Sequence, residues 1–275
     1  MRMGWAWKVV DRKRLNNQWE GQQPFPFRQE NKRSMSRLYP LSPRTIGILG
    51  GMGSAATVDL FDRIVRATPA RKDQEHLPVL IVNDPLIPDR TQAILHGGPD
   101  PLPRMQAGIK KLVAMGADFV AIPCNTAHYF LPRLAPAAPI RLLDMIRETV
   151  QAVVASLPGV ERVGVMATSG MLAVGLYQQA LVKAGLIPVE PPADDIERMM
   201  DAIYGAEGIK SAGVTAYAVE TLGTVGGELL ARGAQALILG CTEIPLALQE
   251  GDLPAPLVAS SQALAEAAVR EAMRD

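Results

Sequence analysis

The chain repeats itself at an offset of 117 residues, and this repeat restricts the possible folds more than any other feature. Gly116-Ala117-Asp118-Phe119-Val120-Ala121-Ile122-Pro123-Cys124 has its counterpart in Gly233-Ala234-Gln235-Ala236-Leu237-Ile238-Leu239-Gly240-Cys241. Ile46-Gly47-Ile48-Leu49 has its counterpart in Val163-Gly164-Val165-Met166. Each half opens on a short apolar run containing a glycine and closes a later apolar run on a cysteine. A chain of 275 residues built this way should form two similar lobes, each of roughly 110 residues.

Strand and helix patterns alternate between the repeated runs. Residues 45–50 read as a buried strand closed by the Gly50-Gly51-Met52-Gly53 turn, with Ser54 as N-cap of a helix to about residue 67. A second strand falls within 76–82, a proline-bounded loop at 83–90, a helix at 103–115, and a strand at 118–122 that delivers Cys124. The second half repeats the scheme: strand 162–167, helix 171–184, strand 187–189, helices at 194–204 and 214–232, and strand 235–239 leading to Cys241. Residues 257–273 read as a final strand and helix that pack back on the first half. The expected fold is therefore α/β, with two pseudo-symmetric lobes, each a mostly parallel sheet flanked by helices. The expected division is 43–144 plus 256–275 for the first lobe and 145–255 for the second. In such sheets ligands bind beyond the carboxyl ends of the strands, where Gly50-Gly51, Cys124, Thr168 and Cys241 all fall.

Composition narrows the functions. Net charge is zero and the pI is 6.9, which gives no electrostatic case for nucleic acid. Two cysteines in a chain this long do not form a disulfide framework and point to a reducing cytoplasm. The three histidines, His76, His96 and His128, lack metal-ligand spacing. Residues 163–182 carry no charge, but Ala167-Thr168-Ser169-Gly170 breaks the run, and Gln178 and Gln179 would be unpaired in lipid. A strand, turn and helix are expected there, not a membrane span. Residues 1–42 hold all three tryptophans, nine Lys and Arg, and three acids, with no apolar period. They read as a disordered extension or an over-long start, with Met35 the alternative first residue; the competing reading is a basic, aromatic tail that binds a partner.

The two cysteines carry the chemistry. Each ends a strand and precedes residues of capping type, Asn125 and Thr126 after Cys124, and Thr242 after Cys241. A thiol facing a helix N-terminus should be held toward thiolate. Arg90 lies 34 residues before Cys124 and Lys210 lies 31 before Cys241, one cation per half, which suits a substrate with a carboxylate at each end. The Gly-Gly-Met-Gly turn suggests close backbone approach to a small ligand. His128 has Pro245 as its repeat counterpart and is expected to be structural. Two similar thiols facing each other across a cleft can take a proton from one face of a chiral carbon and return one to the other.

Five segments together resemble the cofactor-independent aspartate/glutamate racemase family, and within it the aspartate racemases, over residues 44–275. These are residues 46–53, Ile87-Pro88-Asp89-Arg90-Thr91, Pro123-Cys124-Asn125-Thr126-Ala127-His128, Gly208-Ile209-Lys210 and Gly240-Cys241-Thr242-Glu243-Ile244-Pro245. The resemblance implies a two-lobed, usually dimeric enzyme with its site between the lobes and no pyridoxal phosphate, metal or nucleotide. It implies that Cys124 and Cys241 are the acid/base pair and that Arg90 and Lys210 hold substrate carboxylates. Met52, Asn125, Thr126, Thr168 and Thr242 would line the pocket. Ser54 stands where proline is common. Asp84 stands where asparagine is common, which would bring a negative charge near an acidic substrate. Other readings compatible with the residues are a glutamate or broad-specificity racemase, a small-diacid isomerase on the same fold, and a non-enzymatic amino-acid or thiol-redox sensor. Retention of both cysteines argues against a one-thiol decarboxylase.

Overall fold

The structure, a computed structural model, describes residues 43–274; the expectations for residues 1–42 lie outside the described residues. In the first half, β1 (Ile46–Gly50), α1 (Ser54–Ala67), β2 (Val79–Asn83), α2 (Arg90–Leu95), α3 (Leu102–Ala114) and β3 (Phe119–Ala121) follow in order. They are followed by α4 (Leu131–Leu134), β4 (Arg141–Leu142) and α5 (Met145–Ser156). The second half has β5 (Arg162–Met166), α6 (Ser169–Val174), α7 (Leu176–Lys183), β6 (Ile187–Val189), α8 (Ala193–Tyr204), α9 (Ile209–Ala212) and α10 (Ala216–Ala231). It ends with β7 (Ala236–Leu239), α11 (Ile244–Ala247), β8 (Leu257–Ala259) and α12 (Ser260–Ala272).

The strands form two four-stranded parallel sheets of the same order, β2-β1-β3-β4 and β6-β5-β7-β8. The repeat extends to the pairing register. Ile46 pairs with Phe119 and Gly47 with Val120, while Val163 pairs with Ala236 and Gly164 with Leu237, every partner displaced by the same 117 residues. The glycines of the repeat have a steric reason. A Cβ on Gly47 would lie 2.9 Å from Ala117 Cβ and 3.0 Å from the Phe119 carbonyl oxygen. A Cβ on Gly164 would lie 2.4 Å from Leu237 Cδ2 and 3.2 Å from Ala234 Cβ, and Ala234 is the repeat partner of Ala117. In both halves the bare glycine lets the turn after the crossover helix settle onto the central strand.

Each first-sheet face has its own core. Ile46, Ile48, Phe119 and Ala121 pack with Leu60 and Ile64 of α1, whereas Leu49 and Val120 pack with Met105, Ile109 and Leu112 of α3. The last helix of each half crosses over. Helix α5, after β4 of the first sheet, places Ile146, Val150 and Val153 in the core of the second sheet. Helix α12, after β8 of the second sheet, places Leu264, Ala265 and Ala268 against Ile46, Ile48 and α1. Helices α5 and α12 also pack on each other. Residues 256–275, assigned as one piece to the first lobe by the sequence, thus divide, with Leu257–Ala259 in the second sheet and α12 on the first.

Several boundaries differ from the pattern-based expectation. The helix expected over 171–184 is two helices, because Gly175 adopts φ +67° between them. Gly53 takes the N-cap position of α1 and Ser54 is already helical, its hydroxyl accepting from Asn83 Nδ2 at 3.0 Å. Arg90 begins α2 rather than ending a loop, with the Asp89 carboxylate accepting from the Gln92 N–H. No described helix is long and apolar enough to cross a membrane.

If the duplicated glycines set the spacing of helix turn and strand, Gly47→Ala and Gly164→Ala should each destabilise the fold by about 1–3 kcal/mol. Denaturant unfolding checks this, and unchanged midpoints would mean that the contact has slack.

Candidate active site

The chain leaves β3 through Ile122-Pro123 to reach Cys124, and leaves β7 through Gly240 to reach Cys241. Both thiols are free and buried, each 6% exposed. The nine residues singled out from the sequence, Met52, Arg90, Cys124, Asn125, Thr126, Thr168, Lys210, Cys241 and Thr242, all border one narrow, tightly closed cavity. Thr91, Tyr204 and Glu243 complete its wall.

The segments after the cysteines are not the α-helices expected. Thr126–Phe130 is a 3₁₀ helix whose boundary residue, Asn125, makes no side-chain cap. After Cys241 comes only the four-residue α11, with Glu243 at its boundary and Pro245 in its first turn. The capping types instead bond sideways at the junction of the lobes. Thr126 and Thr168 share a hydrogen bond at 3.0 Å between their hydroxyls. Asn125 Nδ2 donates to Ser260 Oγ at 3.0 Å, and Thr242 Oγ1 donates to Glu243 Oε2 at 3.2 Å. Buried polar side chains need partners, and here Thr126 finds its partner in the other half, Asn125 at the start of the last helix, and Thr242 in its own neighbour.

Glu243 organises the second half of the cavity. It is 3% exposed, and its Oε1 forms an ion pair with Lys210 Nζ. Its Oε2 accepts from Cys241 Sγ at 3.0 Å. Burial pushes the Cys241 thiol well above its ordinary pKa, and the Glu243 carboxylate adds to the shift while Lys210 opposes it. This corrects the expectation of a helix terminus drawing Cys241 toward thiolate: a four-residue helix offers little dipole, and a buried carboxylate sits closer. Burial alone would lower the Lys210 pKa, but Glu243 and Cys241 more than offset this and hold it above the ordinary value. The Lys210 ammonium also lies 5.4 Å from the centre of the Tyr204 ring.

Arg90 organises the other side. Its Nη2 donates to the Met52 carbonyl at 3.1 Å and its Nη1 to the Pro88 carbonyl at 3.1 Å, while its buried Nε has no hydrogen-bond partner among the described residues. Burial works against its charge, but Cys124, Asp89 and Tyr204 together raise its pKa. The glycine turn serves this contact. Gly51 has φ +95°, and a Cβ there would lie 2.3 Å from the Asp84 carbonyl oxygen, so the close approach is to the protein's own backbone and presents the Met52 carbonyl to Arg90.

Two nearby residues take supporting places. Asp84 does not border the cavity. Arg104 grips its carboxylate at 3.0 and 2.9 Å and holds its pKa below the ordinary value, so the extra charge read from the sequence is neutralised on the outside. His128 Nε2 accepts from the Met145 N–H at 3.0 Å, which leaves Nδ1 to donate to the Cys124 carbonyl at 2.9 Å. Burial lowers its pKa, and the neutral ring ties Cys124 to the start of α5.

The sequence did not single out Thr91, Tyr204 or Glu243 as site residues. Tyr204 has Ile87 as its repeat partner, so the duplication gives no signal for it. Glu243 was legible: it is the repeat partner of Thr126, so a carboxylate stands two residues after one cysteine where the other half has a hydroxyl.

The chain matches a broad-specificity amino-acid racemase, RacX, of Bacillus subtilis (strain 168) at 25% identity over 82% of this chain and 96% of that protein. Among solved structures, the aspartate racemase of Picrophilus torridus matches with a TM-score of 0.75 and 31% identity, over 83% of this chain and 94% of that one. The glutamate racemase isoform RacE1 of Bacillus anthracis shares the fold at a TM-score of 0.56 and 18% identity, over 81% of this chain and 79% of that one. The family model for Asp/Glu/Hydantoin racemase matches residues 49–268, a span that holds both cysteines, and the chain belongs to that family.

Proposed function

We propose that this chain racemises aspartate by two-base proton transfer, with Cys124 and Cys241 as the acid/base pair and no cofactor. The observation that carries this reading is that two buried thiols, at repeat-equivalent strand ends, border one cavity together with Arg90 and Lys210. The choice of aspartate is supported by the similarity to the Picrophilus torridus enzyme. Arg90, with its unpartnered Nε, receives one substrate carboxylate, and Lys210 receives the other in exchange for Glu243.

The resting enzyme is asymmetric. Cys241 donates its S–H to Glu243, which suits it to the role of acid, whereas the charged neighbour of Cys124 is the Arg90 guanidinium, which suits Cys124 to the role of base. The Cys124 thiolate takes the α-proton, and the electron pair of the Cα–H bond passes into the adjacent carboxylate as an ene-diolate. The hydroxyls of Thr126, Thr168 and Thr242 border the space where that charge develops. Cys241 then gives its proton to the opposite face of Cα. Turnover leaves a thiol at Cys124 and a thiolate next to Glu243, and the repulsion between those two anions favours return of a proton to Cys241.

A second reading, racemisation of many amino acids, is favoured by the Lys210–Glu243 ion pair, which already occupies the cation meant for a second carboxylate. The similarity to RacX points the same way. A panel of L- and D-amino acids, assayed in EDTA without pyridoxal phosphate, decides between the two. Turnover confined to aspartate is expected; comparable rates on neutral amino acids would establish the second reading, and dependence on added pyridoxal phosphate or metal would overturn both.

Cys124→Ser and Cys241→Ser should each abolish racemisation, because a hydroxyl is far too weak an acid near neutral pH to replace a thiol. Polarimetry of aspartate solutions measures this, and full activity in either variant would return that cysteine to a packing role. Glu243→Gln removes the carboxylate that pushes the Cys241 thiol up, while burial still acts. The alkaline limb of the pH–kcat profile should therefore move to lower pH in both directions of reaction. A limb left in place would show that Glu243 does not govern Cys241.

A further inference from the structure

Tyr177 lies behind the cavity and does not border it, yet it touches the chain next to both thiols. It is completely buried in the first turn of α7. Its hydroxyl donates to Asn125 Oδ1 at 2.6 Å, and Asn125 directly follows Cys124. Its ring lies flush against Gly240, which directly precedes Cys241: a Cβ on Gly240 would stand 2.8 Å from Tyr177 Cε2. The circuit closes through a third side chain. Asn125 Nδ2 donates to Ser260 Oγ at 3.0 Å, and Ser260 Oγ donates to the Leu239 carbonyl at 2.9 Å. Because the serine proton goes to Leu239, Ser260 must accept from Asn125, which fixes the amide orientation and leaves Oδ1 for the phenol. Thr149 Oγ1 spends its own proton on the Met145 carbonyl and can only accept from the phenol; at 3.3 Å it is a more distant acceptor than Asn125 Oδ1 at 2.6 Å, which takes the phenol proton. The repeat partner of Tyr177 is Leu60, so the first half has no equivalent hydroxyl.

We propose, on the two-thiol reading above, that Tyr177 is a positioning residue for proton transfer: it sets the separation of Cys124 and Cys241 by holding Asn125 with its hydroxyl and Gly240 with its ring. Two-base transfer depends on that separation more than on the position of either thiol alone. A thiolate that has taken a proton gains nothing unless the opposite thiol is in reach of the carbanion. If the gap widens, the proton on the first cysteine exchanges with solvent and returns to the same face. Binding, which rests on Arg90 and Lys210, does not pass through Tyr177.

The test compares the full-length protein with Tyr177→Phe, which keeps the ring against Gly240, and with Ser260→Ala, which breaks the circuit at another point. Near-ultraviolet circular dichroism and melting confirm that each variant is folded. For both variants we expect kcat on L- and D-aspartate to fall about tenfold to a hundredfold, the scale of loss for misplaced reacting groups, with KM within twofold. In D2O, deuterium entering the unconverted enantiomer should rise relative to racemisation, a change that mere loss of folded protein does not produce. Should Tyr177→Phe fail to fold, Ser260→Ala decides by the same readouts. Parent-like kcat and exchange ratio in a folded variant would overturn the positioning role while leaving the racemase reading intact. A change confined to KM would overturn it too. A parent without racemase activity would instead refute the functional reading, and the positioning role with it.

Discussion

A carboxylate taken out of water must find positive charge and donors, and the organisation of the cavity follows from how Glu243 does so. It binds Lys210 with one oxygen and accepts hydrogen bonds from Cys241 and Thr242 on the other. One buried side chain thereby fixes the place of a cation, the state of a thiol and the direction of a hydroxyl. Among the described residues no carboxylate bonds to Cys124 in this way, and its charged neighbour is Arg90. The cavity is lined by near-twin elements, but its electrostatics are not twinned.

The asymmetry is local. The central strands and their glycines keep the 117-residue displacement in register and in steric contact. It is lost immediately after the cysteines, where Asn125-Thr126 face Thr242-Glu243. Thr126 spends its hydroxyl on Thr168 and Asn125 spends its amide on Ser260 and Tyr177. The strands that present the two thiols are thus symmetric, and the polar groups that distinguish them begin at the first two positions beyond, joined by Arg90, His128 and Tyr177, none of which has a counterpart of the same type at the repeat offset.

What could be read from the sequence divides along the same line. The α/β layering, the parallel sheets and the two strand-end cysteines were legible because apolar runs bounded by glycine follow from local geometry and burial. All nine residues chosen from the sequence border one cavity, because strand ends in a parallel sheet converge. The caps were misread because Asn, Thr and Ser satisfy their bonds with whatever lies nearest: Thr168 for Thr126, Ser260 for Asn125, Glu243 for Thr242 and Asn83 for Ser54. The raised Cys241 thiol was missed because its burial and the approach of Glu243 depend on how distant segments meet. Arg90 at a helix start, the 3₁₀ turn after Cys124 and the break at Gly175 rest on single residues, below the resolution of periodicity.

The exchange of terminal helices has a consequence for origin and for unfolding. Helix α5 completes the second core and α12 completes the first. A half-length ancestor would have had an unfilled sheet face and a helix with nowhere to lie, and two copies trading helices would have cured both defects at once. The present chain has the form of such a domain-swapped pair joined end to end. Neither half keeps a complete core once the terminal helix of the other is gone, so the burial of each thiol depends on both halves of the chain.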